Sequence, residues 1–167
     1  TTQIDEQVIE VIHSSMRNNY GNPSSVHQFG RKAKSAIETA RKNIAKHLNV
    51  SASEIIFTAG GTEADNLILH NAVFNLDIKR IVTSKIEHHA VLHTCNYLEK
   101  AYNIIVDYVD VDEFGSINLA HLNQLLSNSS TKTLVSLMLI NNEIGNLLDA
   151  KKVSNICKDH DALFHSD

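Results

Sequence analysis

Long apolar runs, basic clusters and paired cysteines are all missing from this chain, and each absence closes off a class of function. No stretch approaches the roughly 20 apolar residues of a membrane-spanning helix, so no membrane span is expected. No Lys/Arg cluster marks a nucleic-acid surface, and the formal net charge is −4. Cys95 and Cys157 stand alone, without CxxC spacing, which points to free thiols in a reducing compartment and hence to the cytoplasm. The opening residues TTQIDEQVIE carry neither the charged nor the apolar segment of a secretory signal. The single proline sits in YGNPSS, a turn or ordered loop, and no repeat or low-complexity tract appears. No metal centre is expected: His89 and His93 lie four apart, as ligand pairs do on a helix, but no third ligand follows at a recognisable spacing.

What is present is an ordinary globular composition, 43% apolar and 20% charged over 167 residues, enough for one domain with a sizeable core. Asp5 can cap a helix through Val8, Ile9, Ile12 and Met16, and a second helix is predicted over 26–48 with Ala33, Ala36, Ile37, Ala40, Ile44 and Leu48 as its stripe. From there strands and helices alternate. IIFT (55–58) reads as a short buried strand, TEADNLILHNAVF as a helix capped by Thr62, RIVTS as a strand and HAVLHTCNYLEKA as a helix. NIIVDYVDV, KTLVSLMLI and ALFHSD read as further strands, separated by the helices NLAHLNQLLS and AKKVSNICKDH. The alternation predicts a three-layer α/β fold with a mostly parallel central sheet and flanking helices. In such sheets ligands bind at the carboxyl ends of the strands.

Four polar segments are expected at those ends. In TAGGTE, Gly60 and Gly61 allow close backbone approach, and the following helix N-terminus with the Thr62 hydroxyl can cradle a phosphate; a plain glycine turn with Thr62 as N-cap is the other reading. Glu87 and His88 in KIEHHAV can do acid–base work, or His88 can simply cap a helix. In NNEIG, Asn141 and Asn142 can offer amide donors with Glu143 orienting one of them, or the turn can satisfy itself. Asp167 can pair with a cation or a protonated nitrogen, or fray as a terminal residue. Together they offer what a phosphorylated, flat, nitrogen-containing ring requires.

GNPSSVHQFG (21–30), FTAGGTEADNL (57–67), EHHAVL (87–92), NNEIG (141–145) and FHSD (164–167) occur in an order and spacing that resembles the cysteine desulfurases. These are pyridoxal 5′-phosphate (PLP) enzymes of the class V aminotransferase group with the fold type I architecture. The resemblance covers essentially the whole chain and implies that residues 1–167 form the N-terminal portion of the large PLP-binding domain. It implies phosphate binding by Gly61 and Thr62, ring stacking and proton transfer by His88, a contact of Asn142 with the cofactor's phenolic oxygen, and pairing of Asp167 with the pyridine nitrogen. It further implies L-cysteine as substrate, a sulfur-acceptor or iron–sulfur scaffold protein as partner, and a homodimer.

The departures are informative. Gln3 follows Thr1-Thr2 where the family has proline. The family's Schiff-base lysine and nucleophilic cysteine lie in later segments, and neither Cys95 nor Cys157 occupies a matching motif, so both are expected to be inert buried thiols. The resemblance therefore implies conversion of L-cysteine to L-alanine by the complete enzyme, with these residues alone inactive. Selenocysteine lyase, with nearly the same chemistry, is the near alternative. A non-enzymatic module holding a phosphorylated ligand, or a scaffold for sulfur-transfer partners, stands as a different class.

Overall fold

The computed structural model describes residues 3–167 and divides them into two compact units, one ending at Phe57 and one running from Thr58 to Asp167. The Thr1-Thr2 pair lies outside the described residues.

The first unit holds α1 (Glu6–Asn18), α2 (Gln28–Leu48) and a single 3-10 turn (Ala52–Glu54). Asp5 caps α1 as expected, its carboxylate accepting from Gln7 N–H at 2.9 Å. The GNPSS segment folds onto the start of α2. Asn22 Oδ1 accepts from Ser24 N–H at 2.9 Å, and His27 Nδ1 accepts from Gly30 N–H at 3.3 Å. A Cβ at Gly30 would overlap the carbonyl oxygens of Ser25 and Asn22, so only glycine lets the loop lie this close. Of the predicted α2 stripe, Ala33 is buried while Ile37, Ile44 and Leu48 stay exposed. IIFT is not a strand. No ladder partner reaches it among the described residues; instead the Ile55 carbonyl accepts from Arg41 Nη1 and the Arg41 guanidinium lies 4.8 Å from the Phe57 ring centroid. Strand propensity without a neighbouring edge leaves an extended segment whose Ile56 side chain is exposed.

The second unit is the predicted α/β layer structure. In chain order it contains α3 (Gly61–Phe74), β1 (Arg80–Thr83), α4 (His89–Tyr102), β2 (Ile105–Tyr108), α5 (Leu119–Ser127), β3 (Thr133–Ser136), α6 (Ala150–Asp159) and β4 (Leu163–His165). The four strands are parallel in the order β2-β1-β3-β4, with Ile81 opposite both Val106 and Leu134, and Val135 opposite Phe164. Successive strand residues face opposite layers. Ile81 and Leu134 join Leu69, Val73, Val91 and Leu98 of α3 and α4 in one core, while Val82 and Val135 join Leu122, Leu126 and Val153 of α5 and α6 in the other. The central strands β1 and β3 are therefore buried on both faces, which explains their continuous apolar runs, whereas the edge strands β2 and β4 are partly exposed. They are shorter than the sequence suggests: β3 stops at Ser136, before LMLI. Among the described residues no helix is long and apolar enough to cross a membrane.

One charged residue is set inside this core. Arg80, 6% exposed, donates from Nε to Asp107 Oδ2 at 2.6 Å and from Nη1 to the Leu125 carbonyl at 2.8 Å, tying β1 to β2 and to the end of α5. Arg80→Ala strands both acceptors and is expected to cost about 2–4 kcal/mol of stability, read as a lower urea midpoint. A midpoint equal to that of the native chain would show that the pair holds nothing in place.

Candidate functional site

The site lies wholly in the second unit, in a cleft of about 380 Å³ lined by Gly61, Thr62, Asp65, His88, Met138, Ile140, Asn142 and Asp167. All five residues proposed from the sequence as cofactor-binding, Gly61, Thr62, His88, Asn142 and Asp167, are brought to it. Each arrives by a different local route.

The first wall is the start of α3. Five α-helices are capped by a side chain, from Asp5, His27, His88, Asn118 and Asp149. α3 has none: its N-cap is Gly60, in extended conformation, and no side chain accepts from its first turn. Thr62 is thus not the N-cap expected from the sequence but a first-turn residue, because the helix begins one residue earlier, at Gly61. A Cβ at Gly60 or Gly61 would meet nothing within 4 Å. Nothing in the described chain requires glycine there, and no side chain takes up the N–H groups at the positive dipole end, the arrangement an anion seeks. Glu63 turns back to accept from Ala59 N–H at 2.6 Å, which fixes the turn without filling the space.

His88 takes the capping place that the sequence offered, and the cleft as well. It caps α4, its Nδ1 accepting from Ala90 N–H at 3.1 Å, and it also lines the cleft. With Nδ1 an acceptor, the neutral ring carries its proton on Nε2. Glu87 does not join it. The Glu87 carboxylate is buried, accepting from Ser84 Oγ at 2.7 Å and from Met138 N–H at 2.8 Å, and so braces the β1–α4 turn against the end of β3. Burial pushes its carboxyl up to about 7, against the opposing effect of these two hydrogen bonds.

The two asparagines of NNEIG divide the two readings between them. Asn141 is the self-satisfied one: Nδ2 donates to the Ile86 carbonyl at 2.7 Å, and Oδ1 accepts from Glu143 N–H at 2.9 Å and Ile144 N–H at 3.0 Å. Gly145, at φ 75°, closes the turn. Asn142 is left facing the cleft. The expectation that Glu143 orients an asparagine fails, because Asn141 orients the Glu143 backbone instead. Asp167 does not hang loose: its carbonyl accepts from Leu139 N–H at 3.2 Å, continuing the β3–β4 pairing past the strand ends.

Two residues went unnoticed in the sequence. Asp65, 3% exposed, sits one helical turn beyond Gly61 and Thr62 on α3. His165 is buried on β4, 3.6 Å from Asp65 Oδ1 and 2.9 Å from Ser136 Oγ. The polar atoms of Asp65, His88 and Asp167 all lie within 4.8 Å of one another. Burial and the neighbouring Asp167 push the Asp65 carboxyl up, His88 opposing them, while burial pushes the His165 ring down. The i, i+3 spacing of Thr62 and Asp65 was the available signal.

Residues 1–167 match the family profile described as aminotransferase class-V. The chain belongs to this family. It is 41% identical over its whole length to a protein named cysteine desulfurase IscS from Dictyoglomus turgidum, of which it covers 42%, and 41% identical to one so named from Methanosarcina thermophila, of which it covers 41%. Among solved structures it matches a NifS-like protein with a TM-score of 0.89 at 38% identity, covering all of this chain and 46% of that one. It also matches SspA in complex with cysteine, with a TM-score of 0.88 at 32% identity and 48% of that chain covered. The chain thus spans less than half the length of these relatives.

The raised Glu87 carboxyl has a consequence for stability. Between 4.5, its ordinary value, and about 7, the folded chain holds a proton that the unfolded chain has released. That stabilisation is full at low pH and lost as pH rises through the window. Relative to Glu87→Gln, which cannot ionise, the native chain should lose on the order of 2–3 kcal/mol across the window, measured by urea unfolding at several pH values. Parallel pH profiles for the two proteins would place the proton elsewhere.

Proposed function

We propose that this chain is the PLP-binding portion of a cysteine desulfurase, an enzyme that converts L-cysteine to L-alanine and passes the sulfur on as a persulfide. The observation that carries this reading is the meeting of an uncapped α3 N-terminus, His88, Asn142 and Asp167 in one cleft. It accompanies a full-length likeness to proteins named cysteine desulfurase, and the neighbour solved with cysteine favours cysteine over selenocysteine.

The residues fit the cofactor's parts. The free N–H groups of α3 with the Thr62 hydroxyl suit a phosphate dianion, and the open space before Gly60 and Gly61 leaves room for it. When bound, PLP supplies an electron sink that draws density from the substrate's α-carbon. Asp167 would sustain that sink by holding a proton on the pyridine nitrogen. Asn142 offers an amide donor for the phenolic oxygen. His88, its Nδ1 fixed by the Ala90 cap, offers a flat ring for stacking and an imidazole for moving a proton.

Other groups are ruled out of the sulfur chemistry. Cys95 and Cys157 are 0% and 1% exposed, and burial pushes their thiols up to about 12 and about 11. Neither can serve as an attacking thiolate near neutral pH. No lysine lines the cleft. The family resemblance puts the Schiff-base lysine and the nucleophilic cysteine in later segments of the complete protein. It also supports a cytoplasmic homodimer that hands sulfur to an acceptor or iron–sulfur scaffold protein. The exposed Val8, Ile12 and Met16 of α1 offer apolar surface for such contacts.

Titration of the 167-residue chain with PLP, followed by absorbance, tests the reading. Native chain should bind PLP, and Thr62→Val should weaken binding about ten- to a hundredfold by removing a hydrogen bond to a dianion. An unchanged dissociation constant would move the phosphate elsewhere, and no binding by the native chain would remove the cofactor from the reading. Borohydride treatment should leave the bound PLP dialysable. Covalent PLP mapping to one lysine would show that a residue outside the cleft lining reaches it.

A further inference from the structure

Asp65 has no part in the roles assigned above, yet its surroundings are unusual for a carboxylate. It is 3% exposed, and its Oδ2 has no hydrogen-bond partner among the described residues. A buried acceptor left in this way carries a desolvation cost that calls for a donor. The other oxygen has a neighbour in ion-pair range but no hydrogen bond among the described residues. Oδ1 lies 3.6 Å from His165 Nε2, and His165 Nδ1 lies 2.9 Å from Ser136 Oγ. If Ser136 donates to Nδ1, the neutral His165 ring carries its proton on Nε2 and directs it at Asp65.

The titratable groups around the Asp65 carboxylate come from three elements. Glu87, at the end of the β1–α4 turn, is engaged by Ser84 and Met138 and lies outside the cleft lining. Asp167, after β4, is a carboxylate and has no proton to give when ionised. His165, on β4, is held at Nδ1 by Ser136 Oγ, and its Nε2 stands 3.6 Å from Oδ1. His88 remains. Its Nδ1 accepts from Ala90 N–H, so its proton is on Nε2, and one of its ring nitrogens is within 4.8 Å of an Asp65 carboxylate oxygen. The carboxylate torsion of an aspartate is soft, so its oxygens can turn toward that nitrogen.

We infer that Asp65 is the positioning residue for His88, its Oδ2 accepting the His88 Nε2 proton while His165 and Ser136 brace its Oδ1. The donors then run in one consistent sense: Ser136 to His165 to Asp65 from one side, and Ala90 to His88 to Asp65 from the other. His88 is held by both nitrogens, which fixes its tautomer and its ring plane. A carboxylate also stands beside it to offset the positive charge it gains on taking a proton, a step that would give up the Ala90 cap. The value of this to catalysis rests on the PLP reading, whereas the hydrogen bond itself does not.

The test uses the 15N-labelled 167-residue chain without cofactor. Imidazole 1H–15N correlations are recorded, with the His88 signals assigned by their loss in His88→Gln. The expected result is a neutral His88 protonated on Nε2, with that proton exchanging at least tenfold more slowly than in Asp65→Ala and at an intermediate rate in Asp65→Asn. Asp167→Asn should leave the rate within twofold. A His88 protonated on Nδ1 overturns the inference, as does exchange untouched by either Asp65 substitution, or protection lost in Asp167→Asn instead. Should Asp65→Ala not fold, the native tautomer and the Asp65→Asn rate decide. Because no cofactor is present, a failed PLP titration leaves this result standing, and a failed result here leaves the titration standing.

Discussion

Backbone pairing between β3 and β4 is the constraint on which the cleft depends. The ladder does not stop with the strands. Leu137 N–H donates to the His165 carbonyl at 3.1 Å, and Leu139 N–H donates to the Asp167 carbonyl at 3.2 Å. These two bonds carry the chain two residues past β4 in register, and so deliver Asp167 beside the turn that presents Asn142. They also set His165 opposite Ser136, since a parallel register pairs those two residues directly. A slip of one residue would turn every side chain to the other face, taking His165 away from Asp65 and placing its polar ring in the α5–α6 core. The apolar core on both sheet faces makes that slip expensive, so packing far from the cleft specifies the position of its polar groups.

The second unit treats its buried charges in two contrasting ways. Arg80 and Asp107 are matched: opposite charges, short contacts, and a carbonyl to use a further guanidinium proton. Around the cleft the acids are not matched in this way. Glu87 has hydrogen bonds but no cation, and its carboxyl is pushed up to about 7 by burial. Asp65 stands close to a second carboxylate, Asp167, with one oxygen unserved. Like charges this near cost stability, and folds keep such arrangements chiefly where a ligand or a proton resolves them. The imbalance is local to the carboxyl ends of the strands, where the α/β architecture exposes its binding edge.

Much of this was legible in the sequence because it follows from period and punctuation. Alternating apolar runs and helical stripes gave the parallel sheet with helices on both faces, and Asp5 and His88 could be read as caps from their place before a helix. What could not be read depends on who the neighbours are. IIFT has every local property of a strand and lacks only an edge to pair with. The two asparagines of NNEIG are chemically identical, and only the approach of the Ile86 carbonyl makes Asn141 the structural one. Glu87 and His88 are adjacent in sequence and looked like a working pair, but the helix start turns them apart, one toward the Met138 amide and one into the cleft. Thr62 reads as the cap because threonine commonly is one, whereas Gly60 leaves α3 with no side-chain cap.

That missing cap has a wider meaning when set beside the rest of the molecule. Five helices end their N–H groups on a side chain within the chain, so capping is available to this sequence and is used wherever the helix start has only structure to serve. At α3 a serine or aspartate in place of Gly60 would add a side-chain cap and a few tenths of a kcal/mol, and the open space beside it would accommodate the side chain. The same substitution would fill the first turn with an oxygen that competes for the N–H groups, and an aspartate would add a negative charge where the dipole now favours an incoming anion. The chain therefore forgoes a side-chain cap at one helix start and sets the Asp167 carboxylate beside that of Asp65 past the end of β4. Donors without acceptors on one wall and acceptors without donors on another define the complement: a ligand with an anionic group and a protonated nitrogen within a single small frame.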